Sequence, residues 1–231
     1  MNKLMLQANE LFKNCGFPYY VCGGFALDLF AGKTLRAHSD LDISIFHENK
    51  RDVVALLQND GWNVYKRVIQ AGVIDGLTPI IDQNDSKLDE IWVIWAMKSG
   101  SHVIPKVREG EADLFDYEIL RSNQTDFNFI EIVLDHKEEN NFVFRKNKNI
   151  ARELDKAILF KNDIPFMAPE LVLFLKSPQP YFTHEFHKEK TPIDFKAIIP
   201  LLSEESRKWL INALNAAYPD GYAWLDDLLE I

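Results

Sequence analysis

Apolar residues recur along the chain with two different spacings, and the spacing predicts which segments are helices and which are strands. A repeat of three to four residues, as in Leu4, Ala8 and Leu11, is typical of an amphipathic helix, whereas a short apolar or alternating run is typical of a strand. Helices are predicted for residues 2–14, 25–31, 49–59, 170–176, 192–201, 203–217 and 222–229. Strands are predicted for residues 19–22, 40–46, 62–68, 91–97, 127–134 and 142–145. Residues 70–90 carry mixed signals, and residues 99–126 are expected to be irregular.

The order of these elements predicts an α/β (α+β) protein with two parts. Strands are confined to the first part, and from about Arg152 the pattern becomes helical, with Pro165 and Pro169 interpreted as helix starts. Thr191 is interpreted as the cap of the helix that follows. We therefore expect a domain over residues 1–148 and a helical C-terminal region over residues 149–231 that packs on it.

Two glycines join the first strand to the next helix. Gly23 and Gly24 can adopt a positive φ and allow close approach of another group, and the free N–H groups of the helix N-terminus attract phosphate. A tight turn without a ligand is the alternative, and the glycine pair alone favours that alternative. Asp28, one turn into the helix, is interpreted as a hydrogen-bonding residue of structural importance rather than a catalytic one.

Two aspartates open the following strand. Residues two apart on a strand share a face, so Asp40 and Asp42 are predicted to lie side by side while Leu41 and Ile43 face a core. Neighbouring carboxylates repel each other unless a cation lies between them, which suggests a hard divalent metal. A strand end with solvated aspartates is the alternative interpretation.

Glu131 is the charged residue of the apolar strand at residues 127–134. An unpaired buried carboxylate is costly, so it needs a partner. A metal shared with Asp40 and Asp42 would serve, and so would an arginine or a lysine.

Composition and charge limit the classes of function. The 231 residues, of which 47% are hydrophobic, can bury a sizeable core. The sequence contains no run of 18 apolar residues, so no membrane-spanning helix is predicted. The formal net charge of −9 argues against stable nucleic-acid binding and is compatible with a cationic small partner. Cys15 and Cys22 are expected to be reduced thiols of a cytoplasmic protein, since the N-terminal segment does not have the pattern of a signal peptide.

Two further clusters are not interpreted as sites. His184 and His187 lack the four-residue spacing of a helical zinc pair. The acidic run of residues 109–118 is interpreted as a solvated loop.

The segment VCGGFALDLFAGKTLRAHSDLDISIF resembles the G-G…D-x-D motif of the polymerase-β-like nucleotidyltransferase superfamily. It is more closely similar to the aminoglycoside- and lincosamide-type antibiotic nucleotidyltransferases, with Phe25 in place of their tryptophan and Leu35 before Arg36. Later segments such as DEIWVIW, FIEIVLDH and IPFMAPELVLFLKS resemble nucleotidyltransferase-domain proteins in the same order. The resemblance implies a core of a mixed, twisted sheet with flanking helices.

The resemblance also implies roles for individual residues. Gly23 and Gly24 would hold a nucleoside triphosphate, with Arg36, His38 and Lys176 as further nucleotide contacts. Asp40 and Asp42 would bind two magnesium ions. Glu131 would be the third carboxylate, as a metal ligand or as the base, with Asp135 on the same face of its strand as the alternative.

The expected activity is transfer of a nucleoside monophosphate, AMP from ATP, to a hydroxyl of a small acceptor such as an aminoglycoside-like antibiotic. Two alternatives stay open. One is a toxin–antitoxin or defence enzyme that modifies tRNA or a protein, and the other is a nucleotide-binding module of the same fold without catalysis.

Overall fold

The computed structural model describes residues 2–38, 40–70, 73–98, 100–107, 115–120, 127–177 and 190–221. These residues form two compact units, each made from separate stretches of the chain. The first unit consists of Met1–Tyr19 and Asp40–Leu134, and the second of Tyr20–Ser39 and Asp135–Ile231. The expected boundary at residue 149 stays a prediction, since the second unit takes in segments from both sides of it.

Most of the described strands of the first unit belong to one sheet. Its strands are β2 (Asp42–Phe46), β3 (Asn63–Gln70), β4 (Val73–Pro79), β5 (Val93–Met97) and the first part of β8 (Phe129–Glu138). They lie in the order β2-β8-β5-β3-β4, and β5 pairs antiparallel with both β3 and β8. Trp95, Met97 and Phe129 form a buried cluster on this sheet.

Two amphipathic helices cover apolar surface of the first unit. Helix α1 (Lys3–Phe12) buries Met5, Ala8 and Phe12, and Phe12 stacks on the Tyr19 ring with centroids 5.4 Å apart. Helix α3 (Lys50–Asn59) buries Val53, Val54 and Leu57 and follows a 3-10 turn at His47–Asn49. The predicted helical spacing is therefore confirmed in both, and α3 ends at Asn59, the last residue predicted for it, with Gly61 following at a φ of 77°.

The second unit combines short strands with helices. The strands are β1 (Tyr19–Val21) from its second residue on, β9 (Asn141–Val143), β10 (Ala151–Glu153), β11 (Ile158–Lys161) and β12 (Ile164–Met167), together with the end of β8. The helices are α2 (Gly23–Ala31), α4 (Leu154–Ala157), α5 (Pro169–Lys176), α6 (Lys190–Ile198) and α7 (Glu204–Ala217), with 3-10 turns at Ser86–Glu90 in the first unit and Ile199–Leu201 in the second. Val21 of β1 pairs in parallel with Phe166 of β12, whereas β11 and β12 are antiparallel. The predicted α+β class with a mixed sheet is thus confirmed.

Several sequence predictions are corrected. Part of the segment expected to be irregular forms an antiparallel hairpin, β6 (His102–Val107) with β7 (Phe115–Leu120), because both strands are rich in β-branched and aromatic residues. The ambiguous segment contains β4, and β8 begins at Phe129 and continues to Glu138.

The expected helical start at Pro165 is also wrong. Pro165 lies in β12, opposite Phe160 of β11. Asn162 and Asp163 join the two strands with φ values of 50° and 62°, as a two-residue hairpin turn requires. Pro169, by contrast, is the first residue of α5, as predicted.

Near the C-terminus the helix ends differ in detail from the prediction. Helix α6 begins at Lys190, and the Thr191 hydroxyl donates to the Lys176 carbonyl oxygen at 3.3 Å instead of capping the helix. Ser203 caps α7 by accepting from the Ser206 N–H. The helix predicted for residues 222–229 lies outside the described residues. Among the helices of the described segments, none combines the length and apolarity needed to cross a bilayer.

Candidate functional site

The aspartate pair lies where the sequence predicted it, at the start of β2 in the first unit. Asp42 is the first residue of the strand, Asp40 precedes it by two positions, and both are partly exposed. Leu41 and Ile43 between and after them are buried, so the alternation of faces is confirmed. The Leu41 carbonyl oxygen accepts a 3.4 Å hydrogen bond from the Glu131 N–H, which brings β8 beside the aspartate pair.

Glu131 is held by two donors on neighbouring strands. Its carboxylate accepts from the indole N–H of Trp95, 2.6 Å away on β5, and from Nη1 of Arg67, 3.5 Å away on β3. Arg67 also lies over the Trp95 ring, 5.4 Å from its centroid. An arginine, one of the partners that the sequence allowed for Glu131, is therefore present.

The donor set of the first unit suits magnesium in part. Within the described residues, no three His, Cys, Asp or Glu side chains are grouped so that they could hold a metal ion. The predicted set of Asp40, Asp42 and Glu131 is therefore not gathered as a ready three-carboxylate site. Magnesium in nucleotide enzymes is bound by one or two carboxylates with phosphate oxygens as further ligands, and the aspartate pair fits that requirement.

The glycine pair opens α2 in the second unit. Gly23 has a φ of 63°, in the left-handed region that favours glycine, and Cys22 before it makes no side-chain bond to the first turn. Gly24 is needed for a different reason: a Cβ at this position would lie 2.4 Å from two atoms of the His38 ring. The second glycine thus allows the loop after α2 to return against the start of that helix.

His38 is fixed within this loop. Its Nε2 lies 2.9 Å from Oδ2 of Asp28, and its ring packs on Phe25 with centroids 4.5 Å apart. The side chain is 5% exposed, and burial lowers the pKa of the imidazole although Asp28 opposes the shift. Asp28 also accepts from the Leu35 N–H through its other oxygen, so it holds the loop as the sequence suggested. The predicted nucleotide contact of His38 stays a prediction.

Arg36 and Lys176 converge on one carboxylate, that of Asp194 in α6. Nε and Nη2 of Arg36 donate to the two oxygens of Asp194 at 2.9 and 3.1 Å, and Nζ of Lys176 lies 2.9 Å from Oδ2. Asp194 is 1% exposed. Burial raises the pKa of this carboxyl, but the two cations outweigh that effect and hold it below its usual value.

The sequence interpretation missed the partners of the predicted residues. Neither Asp194 nor Arg67 was among the predicted site residues. Asp194 stands between two apolar residues, Ile193 and Phe195, and an acidic residue within an apolar helical segment is the available signal of a buried ion pair.

Asp135, the alternative third carboxylate, has partners different from those of Glu131. It is buried and accepts from the Tyr20 hydroxyl at 2.8 Å, within the second unit. The histidine segment at residues 184–187 lies outside the described residues, as does most of the acidic run at residues 109–118.

The family model for aminoglycoside-2''-adenylyltransferase matches residues 4–72 of the chain. This segment contains the glycine pair, Arg36, His38 and the aspartate pair, whereas Glu131 and Lys176 lie beyond it. The predicted resemblance is confirmed, and the match supports nucleotidyltransferase activity. A comparison with curated proteins gave no match.

Solved structures with a similar course of the chain are distant in sequence. The antibiotic-resistance factor ANT(2'')-Ia is 12% identical with a TM-score of 0.48, over 98% of this chain and 95% of its own. The lincosamide antibiotic adenylyltransferase LnuA, solved with lincomycin bound, is 14% identical with a TM-score of 0.46, over 84% and 96%. A nucleotidyltransferase-like protein from Paracoccidioides brasiliensis is 17% identical with a TM-score of 0.37, over 98% and 90%. These TM-scores are too low to transfer a substrate from those proteins to this one.

Proposed function

We propose that the protein is a metal-dependent nucleotidyltransferase that transfers AMP from ATP to a hydroxyl of a small antibiotic-like acceptor. The observation that carries this proposal is the family match over residues 4–72, which includes both the glycine pair and the aspartate pair. Nucleotidyl transfer needs groups that hold a triphosphate and carboxylates that hold its metal, and these two pairs have the chemistry for both.

The roles that we assign are those that the family resemblance implies. The backbone amides of Gly23 and Gly24 at the uncapped start of α2 bind phosphate oxygens. Arg36 and Lys176 supply positive charge for the phosphate groups. Asp40 and Asp42 hold magnesium, which when bound stabilises the charge that develops on the α-phosphate and on the leaving pyrophosphate.

Transfer of AMP to the acceptor hydroxyl needs no reactant other than ATP and the acceptor. The acceptor oxygen forms a bond to the α-phosphorus, the bond from that phosphorus to pyrophosphate breaks, and the hydroxyl proton passes to a base. Glu131 is the candidate for this base or for a third metal ligand, and Asp135 is the alternative. The hydrogen bonds of Glu131 to Trp95 and Arg67 fix the direction of its carboxylate, which suits a group that has to meet one particular hydroxyl.

The nature of the acceptor rests on the family description and on charge. The matching family is described as aminoglycoside-2''-adenylyltransferase, so its printed name gives an aminoglycoside as the acceptor. The formal net charge of −9 favours a cationic acceptor over a polyanion such as tRNA. ATP is proposed as the nucleotide because the family is described as an adenylyltransferase.

Pyrophosphate release tests the proposal. The purified protein is incubated with magnesium and each of ATP, GTP, CTP and UTP, together with a panel of aminoglycosides and lincosamides. We expect release with ATP that depends on both magnesium and an acceptor, and a product whose mass equals acceptor plus AMP. Labelled nucleotide on tRNA or protein without a small-molecule product would favour the defence-type alternative, and magnesium-ATP binding without any transfer would favour the non-catalytic module.

A further inference from the structure

Asp194 joins three separate stretches of the second unit. Its two oxygens accept from Arg36, in the loop after α2, and from Lys176, the last residue of α5, while Asp194 itself lies in α6. The three charged groups together carry one net positive charge. A carboxylate that is 1% exposed would be costly without such partners, so the two cations and the aspartate depend on one another.

The cations keep donors that Asp194 does not use. A guanidinium has five N–H groups, and Arg36 directs two to Asp194 and one, 3.1 Å from its acceptor, to the Ala37 carbonyl oxygen. Within the described part of the chain, two donors of Arg36 are left. The Lys176 ammonium has three, of which one points to Asp194.

The position of Arg36 connects this ion cluster to the glycine pair. Its Nη2 lies 3.0 Å from the point that a Cβ on Gly24 would occupy, so the guanidinium sits against the first turn of α2. The side chain of Cys22, at the cap position, leaves this turn uncapped. Amides of an uncapped helix start and a guanidinium fixed beside them are the groups that bind phosphate oxygens tightly.

We propose that Asp194 is a positioning residue for the triphosphate: it orients the remaining donors of Arg36 and Lys176 at the start of α2. The inference rests on the proposed function and adds a residue of α6 to the phosphate-binding group. Asp194 acts through the two cations and itself touches no phosphate, since its charge would repel one.

The direction in which Asp194→Asn changes the affinity for a polyanion distinguishes a positioning role from a simple effect of charge. The variant raises the local net charge from +1 to +2, so charge alone predicts tighter binding of a polyanion. A positioning role predicts weaker binding, because the side-chain amide of the variant no longer holds the Arg36 guanidinium in place. We expect the dissociation constant for magnesium-ATP, and for inorganic tripolyphosphate, to rise about tenfold or more, the loss that accompanies misplaced charged hydrogen bonds.

A matched control makes the same chemical change elsewhere in the second unit. Asp163 is exposed in the β11–β12 turn with a φ of 62°, which asparagine adopts readily. Asp163→Asn should therefore bind both probes with unchanged affinity. Asp194→Glu keeps the charge but displaces the carboxylate, so it should also weaken binding and serves if Asp194→Asn does not fold.

Calorimetric titration well below each variant's Tm separates affinity from stability. A purely structural role lowers Tm while the folded protein binds both probes with unchanged affinity, and that result would overturn the inference, as would tighter binding by Asp194→Asn. Weaker binding by Asp194→Asn or Asp194→Glu with an unchanged Asp163→Asn supports it. A wild-type protein that binds neither probe would refute the proposed function as well, whereas wild-type binding with unaltered variants refutes the positioning role alone.

Discussion

Replacing Gly24 by alanine tests the packing that brings the loop after α2 back to the start of the helix. Intrinsic helix propensity predicts that this change stabilises the protein, by up to about 1 kcal/mol. The structure predicts the opposite. The new Cβ would lie 2.4 Å from two His38 ring atoms, about 1 Å closer than ordinary contact, and the ring cannot move freely because it is bonded to Asp28 and packed on Phe25.

The size of the destabilisation can be estimated from the hydrogen bond that the His38 imidazole would lose. Moving the ring by about 1 Å breaks or strains the 2.9 Å bond to Asp28, and a buried hydrogen bond to a charged group contributes about 1.5–3 kcal/mol. After the propensity gain is subtracted, Gly24→Ala should destabilise the protein by about 2 kcal/mol. For a chain of this length the corresponding fall in Tm is about 4–8 °C.

Urea unfolding of single and double variants measures this prediction. Gly76→Ala is the control, because an added methyl group at Gly76 would meet no atom of the described residues within 4 Å and should change stability by less than about 0.5 kcal/mol. In a His38→Ala background the penalty of Gly24→Ala should largely disappear, since the clashing ring is gone. A Gly24→Ala variant as stable as the wild type, or a penalty that survives removal of the ring, would refute the reasoning.

Two further predictions concern His38 and the hydrogen bond to Glu131. Burial lowers the pKa of His38 below its ordinary value of 6.5, so the unfolded chain binds a proton at this residue more readily than the folded protein does. The free energy of unfolding should therefore fall as the pH drops through 6.5. A His38→Gln variant whose urea midpoint falls as much as that of the wild type between pH 7.5 and 5.5 would contradict this. Trp95→Phe removes the 2.6 Å donor to Glu131 and should cost about 1–3 kcal/mol in the same assay. Trp62→Phe, whose partner Asp60 is 49% exposed, is the matched control and should cost less; equal losses would show that the Glu131 bond adds nothing.

The elements that carry the glycine pair and the aspartate pair were predictable because local pattern and packing agree in each of them. Apolar residues of α2 and β2 fall where burial requires them, and Gly32, with a φ of 72°, ends α2 as its position in the sequence indicated. The alternation of Asp40, Leu41, Asp42 and Ile43 at the start of β2 was predicted from the two-residue period of a strand alone.

The strands at residues 151–167 were missed because the pattern was interpreted as helical from residue 152. Asn162 and Asp163 are both suited to the left-handed conformation of a tight hairpin turn, and that turn signal outweighs the two prolines nearby. Short strands such as β11 and β12 also carry too few residues for periodicity to distinguish them from helix.

The partners of the site residues could not be predicted at all. Arg36 and Asp194 are 158 residues apart, and Arg67 and Glu131 are 64 apart. A single sequence shows that a buried charge needs a partner but does not show which of many charged residues supplies it.

The central claim is most directly tested by the mass of the acceptor after incubation with ATP and magnesium, comparing wild type, Asp40→Asn and Asp42→Asn. Asp82→Asn, a change on an exposed residue of the first unit, is the control. We expect an acceptor heavier by one AMP with wild type and control, and a rate at least about a hundredfold lower with either aspartate variant, since each removes a charged metal ligand. Full turnover by Asp42→Asn, or no modified acceptor with a wild-type protein that binds magnesium-ATP, would contradict it.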